Sequence, residues 1–467
     1  MTPAQRTQLE AVTASVMDAV LDRSRGSDDY PWIDTKLDLI DGSPLTRRVS
    51  GIELYGRDTV YGWIQGRGIE ALAAHQRWFL RRGDTARAER CLELALRVAS
   101  ALERTRTATG GRLWFWLDAA GAPFALDPAG RRSVPELPAD GANFSDLFHA
   151  RGLCALAALP GGAAWRPLAE LAYRRVLAAL ATDRFASDQQ PFDPRNPVVP
   201  IPGRHSYGAR MIALGLCALG AQLGLAGALG DGLDLLDRIA AGHANRAGRW
   251  PWLPADTISE FIDDRGEPWR EPVPSSSLGA PGSSPAVGAA GIAGLEPGGP
   301  REEVVSDPGH ACELVGLALW LFDAGGAGAT PGERARIAAH AGWLPHLLAA
   351  SAARGLRGPG MCKLWSLSSE RVVNGDMPWW SLPETMRACA LLLARHPGAA
   401  ERIGAATLLD RCVDGFLTSY VNPRVHGWAR QTLGPDGTPV RVVPATPDAD
   451  PGYHTGACLI QVLDLLP

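Results

Sequence analysis

The sequence predicts an all-α fold, an (α/α)6 barrel or toroid with short β-hairpins in the loops between helix pairs. Three observations predict it. Helical periodicity dominates the chain in about twelve segments. Short breakers join many neighbouring segments into pairs: Arg82-Gly83-Asp84, Pro160-Gly161-Gly162 and His396-Pro397-Gly398. The polar side chains best suited to chemistry all fall on even-numbered helices, so one ring of alternate helices would carry them to a common pocket.

Taken in order, the periodicity places helices at about 4–24, 60–81, 84–106, 145–158, 163–182, 206–224, 228–246, 309–323, 331–354, 380–396, 399–419 and 454–465. Longer loops separate the pairs. Three carry aromatic or β-branched residues, then Asp and Gly, then Pro: Leu113 to Pro123, Glu260 to Pro268 and Trp428 to Pro439. Such turns fit short hairpins. The uncharged run from Met211 to Gly230 could span a bilayer by length, but Gly, Ala and Gln222 dilute it, and it reads as two abutting buried helical segments. Residues 1–467 are expected to form one domain with a Gly/Ser/Pro-rich insertion at about 272–303, a flexible segment or a flap over the pocket. A second irregular, Pro-rich loop runs from Gln190 to Gly203.

Composition excludes several partners. The 46 basic and 50 acidic side chains nearly cancel, so no electrostatic case exists for nucleic acid or a membrane surface. Fifteen Trp suit a carbohydrate cleft as well as a core. The eight Cys are scattered without CxxC or Cys/His spacing, which predicts buried free thiols rather than disulfides or a metal site. The first residues lack a signal-peptide apolar region, so a cytoplasmic location is expected.

The chemistry concentrates at helix starts. Asp307-Pro308-Gly309-His310 opens an apolar run, with Ser306 or Asp307 as cap and Pro308 at the first helical position. Glu313 follows three residues later on the same face and can orient the His310 ring. The same start recurs as Asp450-Pro451-Gly452-Tyr453-His454. Trp63 and Arg67 lie four apart on one helical face; an inward Arg needs a carboxylate or a hydroxyl-rich ligand. Trp379 and Trp380 precede Glu384, and Ser381 with Glu384 spells a capping box. The alternative for Glu384 is to hold a His or a sugar hydroxyl. On that reading Glu384→Gln cuts turnover with little change in melting temperature. His205 opens the sixth helix on the same ring. A rival set, Asp58, Glu313 and Glu384, could serve a glycoside hydrolase or lyase. A non-catalytic carbohydrate-binding protein is the other alternative.

Taken together, Trp63-Ile64-Gln65-Gly66-Arg67, Ser145-Asp146-Leu147-Phe148, Asp307-Pro308-Gly309-His310 with Glu313, Trp379-Trp380 with Glu384, and Tyr453-His454 resemble the N-acylglucosamine 2-epimerase superfamily. That superfamily includes cellobiose 2-epimerases and the mannose and sulfoquinovose isomerases. The pieces come in its order from about residue 55 to the end. The resemblance implies an (α/α)6 barrel and proton transfer next to a sugar carbonyl; that scheme requires no cofactor, and because the candidate His lie on different helices no metal site is expected. The resemblance also implies His310 and His454 as the acid/base pair, Glu313 and Glu384 as orienting carboxylates, and Arg67 near the substrate oxygens. Trp63, His205, Trp379, Trp380 and Tyr453 become candidate substrate contacts. The partner is then a small unphosphorylated sugar or sugar-like molecule, and the protein a monomer or homodimer. The chain departs from the pattern at Met377, where Lys is common, and at Ala457, where Arg is common.

Overall fold

The structure is a computed structural model. It describes residues 1–466 apart from 26–29, 45–47, 50–51, 55, 128, 137–139, 191–199, 274–300 and 441–448. Most of the 272–303 insertion and of the Pro-rich 190–203 loop therefore lies outside the described residues.

Helices alternate between an inner and an outer position. The inner helices are α2 (Gly62–Arg81), α4 (Phe144–Ala157), α6 (Gly208–Gln222), α8 (Pro308–Gly325), α11 (Ser381–Arg395) and α14 (Leu459–Leu465). Each packs on the next, and the Tyr453–Cys458 π turn ahead of α14 returns to α2 and closes the ring. Outside lie α1 (Pro3–Arg23), α3 (Thr85–Ala108), α5 (Arg166–Ala181), α7 (Ala228–Gly242), α9 (Pro331–Ala341), α10 (Leu344–Gly355), α12 (Pro397–Ile403) and α13 (Ala405–Gly415). Thus α3 sits on α2 and α4, and α5 on α4 and α6.

Composition follows position. In α4 every residue from Ser145 to Ala157 is buried, because neighbours cover all of its faces. The helix α8 is long and apolar enough to cross a membrane by length and composition; here α6, α7, α10 and α11 cover it. The outer α13 buries only one stripe, Ala405, Leu409, Cys412, Val413 and Gly415, as an amphipathic surface helix should. All eight Cys are free and buried.

Two expected helices are broken. The 331–354 segment divides at Gly342-Trp343, because Pro345 supplies no backbone N–H at the start of α10. The 399–419 segment divides at Gly404, whose φ of +67° ends α12. The three Asp-containing turns form, and in two of them the Asp side chain caps two backbone amides: Asp118 binds Ala120 and Ala122, and Asp263 binds Arg265 and Glu267. Their strands also pair beyond the local turn. Val60–Tyr61, which leads into α2, pairs with Trp116–Leu117 of the next long loop. His205–Ser206 before α6 pairs with Phe261–Ile262, Val305–Ser306 before α8 with Leu364–Ser366, and Met377–Pro378 before α11 with Thr432–Leu433. Four of the six inner-helix entrances are thus stitched to the following loop around the ring.

The α2–α4 contact has backbone against backbone. A Cβ at Gly66 would lie 2.6 Å from the Phe148 carbonyl carbon, and one at Gly152 would lie 2.7 Å from the Gly66 oxygen. Gly66→Ala and Gly152→Ala are each expected to cost about 1–3 kcal/mol through overpacking. Urea denaturation measures this, and wild-type midpoints would contradict the close approach.

Candidate active site

The site lies where the long loops gather, at the N-terminal ends of the inner helices. Asp307 caps α8: its Oδ1 accepts from the amides of Gly309 (2.9 Å) and His310 (3.3 Å). His310 therefore sits in the first turn. A helical side chain leans towards the N-terminus, so its ring looks back at the cap. Nδ1 lies 3.1 Å from Glu260 Oε1 and 3.5 Å from Asp307 Oδ2. Glu260 is delivered by the loop pairing, with its amide on the Val305 carbonyl. This corrects the expectation for Glu313. That residue lies one turn further along the helix, away from the cap, and Glu260 and Asp307 hold the His310 ring instead. Burial pulls the His310 pKa down, but Asp307 and Glu260 outweigh it and push the pKa up to about 9, with Lys363 opposing them.

His454 is placed differently. It lies in the π turn, which Asp450 organises by accepting from the Tyr453 amide (2.8 Å) and from the Thr455 amide and hydroxyl. His454 Nδ1 is 3.0 Å from Glu384 Oε1. Burial takes its pKa down to about 4; Asp450 opposes the fall and the Arg67 charge adds to it. The Trp380 ring touches both imidazoles. It stacks on His310 at 5.2 Å and lies 6.2 Å from His454. Trp379 meets His454 edge-on at 6.1 Å.

Glu384 is fully buried and serves three donors. Oε1 accepts from His454 and from the Cys458 thiol, and Oε2 from Arg387. The capping box is not made, because Ser381 Oγ donates to the Pro378 carbonyl. Glu313 is buried and makes no hydrogen bond among the described residues. Burial and then the Glu384 charge raise its pKa, favouring the neutral acid.

Arg67 leans over Phe148 at 4.2 Å and Tyr453 at 5.8 Å. Its Nε is buried with no hydrogen-bond partner, and among the described residues the side chain makes no ion pair. Trp63 stands against Phe115 and Phe144, and its indole donates to Asp188 Oδ1 at 2.9 Å. Asp188 also accepts from Ser145 Oγ, and burial outweighs both bonds, raising its pKa to about 7. Tyr453 is tied down: Arg151 donates to its hydroxyl, and Arg151 is itself held by Glu70. His205 stays apart from the buried cluster. It is exposed, in a strand, on Asp264 at 2.7 Å, because α6 begins three residues later, at Gly208. Asp58 of the rival set is half exposed and paired with Arg132.

The sequence reading missed Glu260, Lys363, Asp188, Arg387 and Cys458. Only Arg387 had a local signal, three residues after Glu384 on one helix face. Glu260 and Lys363 reach the His310 end of the site from 50 residues before His310 and 56 after Asp307. For a metal, Glu384, His454 and Cys458 offer donor atoms within 4.8 Å of one another. The Arg387 guanidinium on Glu384 opposes a dication there, and the hydrogen bonds already account for the arrangement.

No family model matches the sequence, and no curated protein matches it. Solved structures match along the whole chain. A D-mannose isomerase shares 13% identity over 100% of both chains, with a TM-score of 0.66. The cellobiose 2-epimerase from Bacillus thermoamylovorans B4167 shares 12% identity over 99% of this chain and 98% of that one, with a TM-score of 0.62. That from Spirochaeta thermophila DSM 6192 gives 12%, 98%, 96% and 0.63. At these identities the likeness shows the fold, the (α/α)6 toroid.

The Arg387 pair revises the expectation for Glu384→Gln. Neutralising Glu384 leaves a buried guanidinium without its counter-charge, which costs about 3–5 kcal/mol. The variant is therefore expected to lose stability as well as turnover. Denaturant titration reads this, and an unchanged midpoint would contradict the pairing.

Proposed function

We propose that the chain is a sugar 2-epimerase or aldose–ketose isomerase of the N-acylglucosamine 2-epimerase type. Its substrate is an unphosphorylated sugar or sugar-like molecule, and the reaction is proton transfer at the carbon next to the carbonyl. The observation that carries the reading is the pair of imidazoles on Trp380, tuned in opposite directions. One is backed by two carboxylates. The other is backed by a single carboxylate already shared with Arg387 and Cys458.

In this scheme the sugar lies against Trp380 in its open-chain form. Neutral His454 removes the proton α to the carbonyl. Glu384 accepts the Nδ1 proton and leaves Nε2 free as the base. Protonated His310 delivers a proton to the intermediate, at the opposite face of C2 for an epimer or at the neighbouring carbon for a ketose. The enediolate oxygen gains negative charge, and Arg67, unpaired and buried at Nε, is the group free to meet it. Burial raises the Glu313 pKa, which favours the protonated form that can donate to a sugar oxygen. The scheme needs no cofactor. The hydrolase alternative needs two free carboxyl groups across a glycosidic bond. Of the rival set, Glu384 is committed to His454 and Arg387 and Asp58 lies outside the cluster, which leaves Glu313 as one free carboxyl group where two are needed.

A panel of free aldoses and ketoses, followed by NMR for new anomeric signals, tests the reading. His310→Ala and His454→Ala are each expected to lower turnover by about 10²–10⁴-fold, the usual worth of a positioned acid or base. Wild-type rates in either variant would overturn it. The pH dependence has a definite sign. The base works neutral, so rate falls as pH drops through about 4. The acid works protonated, so rate falls as pH rises through about 9. A profile measured between those limits should be flat, and a limb centred near 6.5 would contradict the assignment.

A further inference from the structure

Lys363 reaches the site on an element that no motif marks. It stands between the strands Gly360–Met361 and Leu364–Ser366. Its amide donates to the Asp376 carbonyl at 2.8 Å. The strand that follows pairs Trp365 with Ser306 and Ser366 with Val305. Those partners immediately precede Asp307. Sheet register thus fixes Lys363 against the cap of α8.

The contacts follow from that register. Lys363 Nζ donates to Asp307 Oδ2 at 2.6 Å, and the same oxygen lies 3.5 Å from His310 Nδ1. Nζ also stands 5.2 Å from the Trp380 ring centroid, over the indole that stacks on His310. Lys363 therefore touches two of the groups that surround the imidazole. Four charges meet here: Glu260 from the preceding loop, Asp307 at the cap, Lys363 from the following hairpin, and His310 itself. With His310 protonated they sum to zero. Glu313 on the same helix, the buried Tyr207 hydroxyl near Glu260 and Asp307, and His454 with Glu384 and Arg387 beyond Trp380 are the other titratable and charged groups nearby.

We propose that Lys363 is a positioning residue that sets how readily His310 gives up its proton, by sharing Asp307 and bracing Trp380. Without its charge, two carboxylates face one imidazolium, the proton is held harder and the acid is weaker. The direction agrees with the opposing effect of Lys363 on His310 noted above. The kinetic meaning of this role rests on the proposed proton transfer; the effect on His310 does not.

The test is an NMR titration of the His310 ring in the full-length protein. Lys363→Gln keeps a hydrogen-bond donor for Asp307 and removes the charge. It is expected to raise the His310 pKa by about one pH unit, the lower end of the range for a neighbouring charge. Lys363→Arg keeps the charge and is expected to restore the wild-type titration. If Lys363→Gln does not fold, Lys363→Met with the same Arg comparison serves. An unmoved or lowered His310 pKa in the neutral variant would overturn the proposal, as would an Arg variant that titrates like the Gln variant. The alkaline limb of the rate profile is read separately. If the NMR shift appears and the limb stays still, the role of Lys363 stands and the assignment of His310 as the acid fails.

Discussion

Backbone groups at the buried entrance of each inner helix must find partners, because unpaired amides and carbonyls away from water are costly. The fold meets this demand with strands of two or three residues. The segments ahead of α2, α6, α8 and α11 each lie antiparallel to a strand in the next long loop. The segment ahead of α4, Ala142–Asn143, makes the same connection in parallel with Phe185–Ala186. This stitching gathers the loops at one end of the toroid. It also decides which side chains meet. Glu260 lies at His310 because its own amide binds Val305, in the strand that leads to Asp307. Lys363 lies at Asp307 because of the same sheet.

The site then separates two imidazoles by their surroundings. His454 is buried and His310 largely so, and desolvation alone would favour the neutral form of both. His310 escapes this through Glu260 and Asp307, whose combined charge outweighs desolvation. His454 does not, because burial dominates there and the Arg67 and Arg387 charges add to it. The same stretch of chemistry, a His one turn into a sequence that starts Asp-Pro-Gly, is therefore given two opposite tunings. Neighbours from other parts of the ring set the difference.

This explains how far the sequence could be read. The toroid was legible because helical period, short breakers and the even placement of polar residues all act within a few residues of chain. His310, His454, Glu384 and Trp380 were legible for the same reason, as they open or follow helices with marked starts. Glu313 was misread as the partner of His310 because spacing along a helix says which residues share a face, and not that a ring in the first turn leans back to the cap. His205 was misplaced by a two-residue error in a helix start. Glu260, Asp188 and Lys363 carried no local signal, since strand pairing between distant loops brings them in. Pro345 and Gly404 did mark the two helix breaks, and the apolar periodicity across them masked that signal.

The central claim is that a carbon-bound proton passes through an imidazole. Turnover of a substrate sugar in D2O, followed by NMR of the product, measures it most directly. An imidazole that has taken a proton exchanges it with solvent before giving one back. The account predicts deuterium at C2 of an epimer, or at the corresponding carbon of a ketose, approaching one per turnover. Product formed in D2O with no deuterium on any carbon would contradict it.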